Sequence, residues 1–230
     1  MKRFYKAATA SAVDGGWTVL LDGKPIRTPA RSTLLVPGEP LAQALADEWG
    51  AQGDAIDLAS MPLGGMANAA IDIIAADRAA FAASLAAYGE SDLLCYRAPE
   101  ADLAAHQASH WNPLLEWAEQ RYGVEFTLAQ GVMHVAQPAA TIDALHHAVS
   151  ALDNFRLAAL SPLVTISGSL IIALALFERA FPVGTLWQAS QLDELWQEER
   201  WGQDSDAVVA RAARERDWNA AARFLDLLNG

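Results

Sequence analysis

The sequence predicts an α+β protein: a small β-rich N-terminal domain over residues 1–60, then a larger all-α domain over residues 61–230. Three observations predict it. Turn signals at Asp14-Gly15-Gly16 and Asp22-Gly23-Lys24-Pro25 punctuate short strand-like runs before residue 36. After the breaker-rich joint Met61-Pro62-Leu63-Gly64-Gly65, strand signals become scarce. Residues 157–177 carry no charged side chain, the mark of a helix surrounded by other helices.

In chain order, Phe4–Val13 leads into the first turn and Trp17–Leu21 follows as a strand. After the second turn, Ile26–Thr28 is placed to pair back, and Ser32–Val36 is a further apolar run. Pro40 opens a helix that Gly53 stops. On that helix Leu41, Leu45, Glu48, Trp49 and Gln52 share a side, so Glu48 is expected to be buried and paired with a base from the first sheet. Residues 66–87 are Ala-rich and helical, and Gly89 ends them. Residues 102–122 form a helix in which Asn112-Pro113 forces a break or kink. Val124–Leu128 and Val132–Val135 suit a small hairpin or an extended loop, and Thr141 caps a helix through Leu157. Ser161-Pro162 reads as the start of a core helix ending near Ala180, which splits the apolar run and argues against a membrane span. The last helix runs from Ser205 or Asp204 to Leu228, with Val209, Ala213, Phe224, Leu225 and Leu228 on its apolar side.

Composition narrows the function. Hydrophobic residues at 53% supply a sizeable core, and a net charge of −12 argues against general nucleic-acid binding. The charge is uneven: residues 1–31 are net +4 and the remainder −16. That basic stretch fits protected sheet edges, and also an anionic partner. A single cysteine, Cys95, allows neither an intramolecular disulfide nor a Cys-based metal cluster, and fits a reducing compartment. The N-terminus lacks the long apolar run of a secretory signal. No phosphate-binding glycine motif is present, so no nucleotide or other cofactor is expected, and the chain is expected to be a monomer. His106 and His110, four apart, make half of a metal site, but no third ligand follows at a telling distance.

Two stretches carry chemistry. Tyr88-Gly89-Glu90-Ser91-Asp92-Leu93-Leu94-Cys95-Tyr96-Arg97 admits an enzymatic reading on Glu90, Asp92 and Cys95, and equally a packed connection between helices. The second stretch, Trp187–Asp204, reads as one helix capped by Thr185 and stopped by Gly202. Leu192, Leu195 and Trp196 fall on its inner face. Glu194, Glu198 and Trp201 fall on the opposite one, beside Asp193. An outward Trp among acids fits a docking face with an aromatic anchor, and also a Trp folded back over the helix end.

Taken together, several stretches resemble the assembly chaperones of the F1-ATPase alpha subunit, found in mitochondria and related bacteria. They are Trp17 with LLDGKPIRTP (20–29), Glu48-Trp49-Gly50-Ala51-Gln52, Met61-Pro62-Leu63, YGESDLLCYRA (88–98), the Gln107, Trp111, Pro113 spacing and SQLDELWQEERWG (190–202). The resemblance covers most of the chain. It implies a β-containing N-terminal domain, a helical C-terminal domain, and a non-enzymatic function: holding the unassembled alpha subunit and preventing its aggregation. It places an acidic position important to activity at Asp193 or Glu194, with Glu194 favoured, and the helix face read above adds Glu198 and Trp201 as partner-binding residues. It implies a mitochondrial matrix setting for organellar members, and for this chain the bacterial cytoplasm.

Overall fold

The computed structural model describes residues 1–131 and 133–229. The chain forms two compact units, each discontinuous in sequence. The first comprises Met1–Arg78, Asp153–Ala159 and Ala220–Gly230; the second comprises Ala79–Leu152 and Leu160–Asn219. The expected break at residue 60 divides the sequence. The compact units follow contacts instead, so the first runs on to Arg78 and takes in two later segments.

In the first unit, strands β1 (Ala8–Val13), β2 (Gly16–Leu21) and β3 (Lys24–Pro25) form an antiparallel sheet in sequence order. Val13 pairs with Gly16 across the expected turn, and Leu21 pairs with Lys24 across the second. Gly16 must be glycine. Its φ is +157°, and a Cβ there would lie 2.6 Å from the Val36 carbonyl oxygen. That carbonyl accepts the Trp17 N–H at 2.9 Å, so it is fixed.

Helix α1 (Glu39–Gly50) lies on this sheet and buries Leu41, Ala42, Ala44, Leu45 and Ala46. Its Glu48 is not paired with a base of the sheet. The carboxylate accepts the Leu63 and Gly64 N–H groups, both at 2.8 Å, at the start of helix α2 (Pro62–Asp72). The first N–H groups of a helix have no partner inside it, and a carboxylate satisfies them while meeting the positive end of the helix dipole. At the far end of α2, Asp72 accepts from the Thr28 hydroxyl at 2.7 Å and the Ala30 N–H at 2.9 Å. Two acids therefore tie this helix to the elements before it.

In the second unit, helix α3 (Arg78–Ala86) leads through two 3-10 turns to strand β4 (Tyr96–Arg97) and helix α4 (Ala101–Tyr122). Helix α4 runs unbroken through Pro113. Proline withholds one N–H from the carbonyl four residues back, and Ser109, which supplies that carbonyl, is exposed. Strand β5 (Ala129–Gln130) pairs in parallel with β4. Of the hairpin or extended loop expected over Val124–Leu128 and Val132–Val135, the described residues take the loop, and the pairing beside it is this parallel one; Val132 lies outside them. The chain continues as α5 (Ala139–Ser150), α6 (Asn154–Ser167), α7 (Leu170–Phe177), α8 (Val183–Ser190), α9 (Leu192–Trp201) and α10 (Ser205–Asn229), of which the start of α6 and the end of α10 belong to the first unit.

Helix α7 is the core element: Leu170 to Leu176 are all buried. The charge-free run is split at Gly168 (φ +66°) and Ser169, not at Pro162, which sits inside α6. Ser169 caps α7, its hydroxyl accepting the Ile172 N–H at 3.0 Å. No helix among the described residues is long and apolar enough to cross a membrane. Thr141 does not cap a helix; its hydroxyl donates to the Glu125 carbonyl at 2.7 Å inside α5. Val209, expected on the buried side of α10, is 70% exposed, and Trp218 fills that side instead.

Replacing Gly16 with Ala is expected to lower stability by about 2 kcal/mol or more, since a strained φ and a backbone collision coincide. Urea unfolding monitored by tryptophan fluorescence measures it, and an unchanged midpoint contradicts this account of the β2 turn.

Candidate partner-binding site

Three of the motifs singled out in the sequence meet in the second unit. Gln107 and Trp111, four apart on α4, are both buried. The Trp111 indole Nε1 donates to the Ala189 carbonyl at 2.9 Å, in the last turn of α8. Gln107 accepts the Ala98 N–H at 2.8 Å and donates to the Asp193 carboxylate at 2.8 Å. The Arg97 guanidinium lies 5.2 Å from the Trp111 ring centre and donates to the Leu94 carbonyl at 2.6 Å and to Asn112 at 2.7 Å. The segments 88–98, 107–113 and 189–193 thus form one hydrogen-bonded junction.

The stretch expected as one helix is two, α8 and α9, with Gln191 buried between them. Thr185 lies within α8 rather than capping it. Gly202, with φ +90°, ends α9 as expected. The break resets the helical phase. One stripe of α9 meets α4: Asp193 bonds Gln107, Trp196 lies 5.2 Å from the His106 ring, and Arg200 pairs with Asp102 while lying 4.4 Å from the Trp196 ring centre. Leu195 and Trp196 are half-buried, because the inner face is shared between two neighbours and not sunk in a core.

The other stripe meets α10. Arg211 makes a two-pronged pair with Glu198, at 2.5 and 2.8 Å, and reaches Glu194 at 3.0 Å. Arg214 reaches Glu194 at 2.5 Å and Gln191 at 3.1 Å. Glu194 and Glu198 are therefore not free outward acids. Side-chain exposure is 33% for Glu194 and 11% for Glu198, and Arg211 keeps only 14%. The Arg211 guanidinium holds the Glu198 carboxyl below the usual range. Arg211 and Arg214 escaped the sequence reading. Their spacing of three, facing acids spaced by four, was the available signal. Of the four expected residues, Trp201 is open to a partner at 77% exposure, at the end of this clamped helix.

The residues of the enzymatic reading are placed differently. Asp92 is fully buried and accepts the Leu94 and Ile171 N–H groups, each at 3.0 Å. Burial pushes its carboxyl up to about 6 despite those bonds. Cys95 is buried, and burial together with the Asp92 charge pushes its thiol up to about 12. A nucleophilic cysteine needs the opposite setting, exposed and electropositive. Glu90 is exposed and, among the described residues, bonds neither Asp92 nor Cys95. The His106 and His110 ring centres lie 4.5 Å apart, tilted by 56°, and no group of three metal-ligating side chains occurs among the described residues.

An antiparallel sheet with a helix lying on it, and a helical unit whose named motifs converge on one junction, define an α+β protein. The chain belongs to the ATP12 chaperone protein family, whose model matches residues 2–119. Over 219 residues it is 24% identical to the mitochondrial protein atp12 of Schizosaccharomyces pombe, covering 90% of this chain and 75% of that one. It is similar to the crystal structure of Atp12 from Paracoccus denitrificans, with a TM-score of 0.94 at 39% identity over 99% of this chain and 98% of that one. A candidate chaperone from Agrobacterium tumefaciens gives a TM-score of 0.95 at 42% identity, over 99% of this chain and 86% of that one.

Two expectations follow. Glu194→Lys sets a cation against Arg211 and Arg214, and its melting point is expected to fall by several degrees. Because Glu198 is held below its ordinary 4.5, the clamp is present above that value and is lost as pH falls through the lower folded one. Melting curves from pH 3 to 7 compare wild type with Arg211→Ala, and a pH-independent difference refutes the clamp. Separately, Cys95 is expected to resist iodoacetamide at pH 8 until urea unfolds the chain; rapid native labelling contradicts its burial.

Proposed function

We propose that this chain is an assembly chaperone for the F1 part of ATP synthase. It holds the unassembled alpha subunit and prevents its aggregation until the alpha-beta ring forms. Family membership supports the chaperone class, and the motif resemblance supports the client. The observation that carries the docking surface is Trp201: a large aromatic, 77% exposed, fixed at the end of a helix clamped along two sides. Aromatics of this kind dominate interface energies because they bury much area with little loss of side-chain freedom.

In this reading Trp201 is the anchor and Glu194, one-third exposed and about two turns earlier on the same helix, is the charged rim. Asp193 and Glu198 act by positioning, because both are committed to bonds that hold α9 in place. The chain works as a monomer without nucleotide, metal or catalysis. The setting is the bacterial cytoplasm, as the mitochondrial matrix is for organellar relatives. The enzymatic alternative loses support with its thiol at about 12 and its buried acid committed to backbone N–H groups.

The test is light scattering of the isolated F1 alpha subunit, warmed with and without the chain. Wild type is expected to suppress aggregation at near-equal ratios. Trp201→Ser is expected to melt as wild type does and to lose about 2 kcal/mol or more of client binding. Equal protection by Trp201→Ser removes the α9 end as the docking surface. No protection by wild type removes the client.

A further inference from the structure

A second open surface lies in the first unit, far in sequence from α9. Two cavities, of about 450 and 160 Å³, share Ile26, Arg27 and Trp49 as lining. They form one groove beside β3. Phe4 and Leu58 line it, 66% and 72% exposed. Hydrophobic residues this open, grouped around a concavity, mark a binding site. A cavity of roughly 150 Å³ accepts benzene, so the smaller one suits one aromatic-sized group and the larger one several.

The rim has a sign. Lys24 and Arg27 line the groove and are exposed. Neither forms an ion pair among the described residues; Arg27 donates to the Arg31 carbonyl at 2.8 Å. Asp22 is a carboxylate on the lining, but it is spent on the Lys6 and Ala7 N–H groups, at 3.1 and 2.9 Å. The groove thus presents two cations free of ion pairs against one carboxylate turned to the backbone, on a chain whose net charge is −12. That overall charge opposes docking on an anionic membrane, and a concave site suits side chains better than a lipid surface.

We infer that this groove takes a segment of the client polypeptide in which large apolar side chains sit next to carboxylates. The inference rests on the proposed chaperone reading, and it adds a second contact surface with its own chemistry. Apolar side chains fill the two cavities, and the carboxylates meet Lys24 and Arg27. Opposite charge at the rim chiefly speeds and orients encounter, while the buried apolar groups hold the complex.

The probes are two ten-residue peptides, one alternating Leu or Phe with Glu, the other with Lys replacing every Glu. The full chain, labelled with nitrogen-15, is titrated with each, and amide shifts are followed by NMR. The acidic peptide is expected to shift residues around Ile26, Arg27 and Trp49, and the basic peptide is not. The double variant Lys24→Glu/Arg27→Glu changes only exposed side chains. It is expected to melt as wild type does and to bind the acidic peptide about tenfold or more weakly. Phe4→Ser is expected to weaken it as well. Equal binding of both peptides, or unchanged binding by the double variant, overturns the inference. So does binding of phosphatidylserine vesicles through these residues with no binding of either peptide. Scattering assays with the F1 alpha subunit keep the two readings apart. If wild type protects it and the double variant protects equally, the groove is refuted and the client stands. If wild type gives no protection while the acidic peptide binds, the client falls and the groove's chemistry stands.

Discussion

The second unit depends on one buried carboxylate. Asp92 lies wholly out of water, where an unpaired charge is strongly unfavourable. It persists because it answers two backbone N–H groups, Leu94 in a 3-10 turn and Ile171 in the first turn of α7. Helix α7 is buried along its length, so water cannot reach its early N–H groups. Asp92 and the Ser169 hydroxyl supply what water would. The acid therefore fixes where α7 begins, and α4 and α8 pack against α7. It also carries a penalty that depends on pH. With its folded value raised to about 6 from 3.8, the folded state binds that proton more tightly than the unfolded state does. This contribution is fully favourable below 3.8 and is lost as pH rises through about 6. The slope is opposite to that of the Glu198 clamp.

The same device recurs. Glu48 serves the start of α2, Asp72 serves Thr28 and Ala30, and Asp193 serves Gln107. In each case a carboxylate meets donors that the local backbone or a buried amide leaves open, and so joins elements distant in sequence. A helix start needs donors satisfied more than a surface needs another ion pair, because an exposed pair contributes little. That explains why Glu48 met two amides where a lysine or arginine was expected. These carboxylates are therefore structural and unavailable to a partner.

The legible parts of the fold were those set by local physics. Glycine turns, the proline that opens α1, the Gly202 stop and the apolar density of α7 follow from neighbours within a few residues. The missed break at Gln191 has no glycine or proline to announce it. Trp111, arriving from α4, binds the Ala189 carbonyl there. The indole that does this is nearly eighty residues away in sequence. Leu195, Trp196, Glu194 and Glu198 all lie in α9 beyond the break and keep the mutual phase of a simple helix; what local sequence does not show is that Arg211 and Arg214 of α10 reach the face carrying Glu194 and Glu198. The motifs themselves were visible as clusters of unusual residues, and their convergence was not. Trp201, past the reach of both clamping stripes, stayed open as the simple helical wheel put it.

On the proposed reading, the paired state of α9 bears on how tightly a client is held. A free acid at an interface must shed water before it meets its partner, and much of the attraction is lost in doing so. Glu194 and Glu198 are already bonded to Arg211 and Arg214, so they set the shape and stiffness of the surface more than its attraction. Binding then falls mainly to the exposed aromatic. A single anchor of this kind supplies roughly 2–4 kcal/mol, whereas micromolar affinity needs about 8 kcal/mol at standard state. On that scale one aromatic anchor holds only part of a micromolar complex, and the remainder falls to the contacts around it. A hold that rests on one exposed aromatic and few free charges is modest, and a modest hold is what lets a competing subunit displace a chaperone from its client.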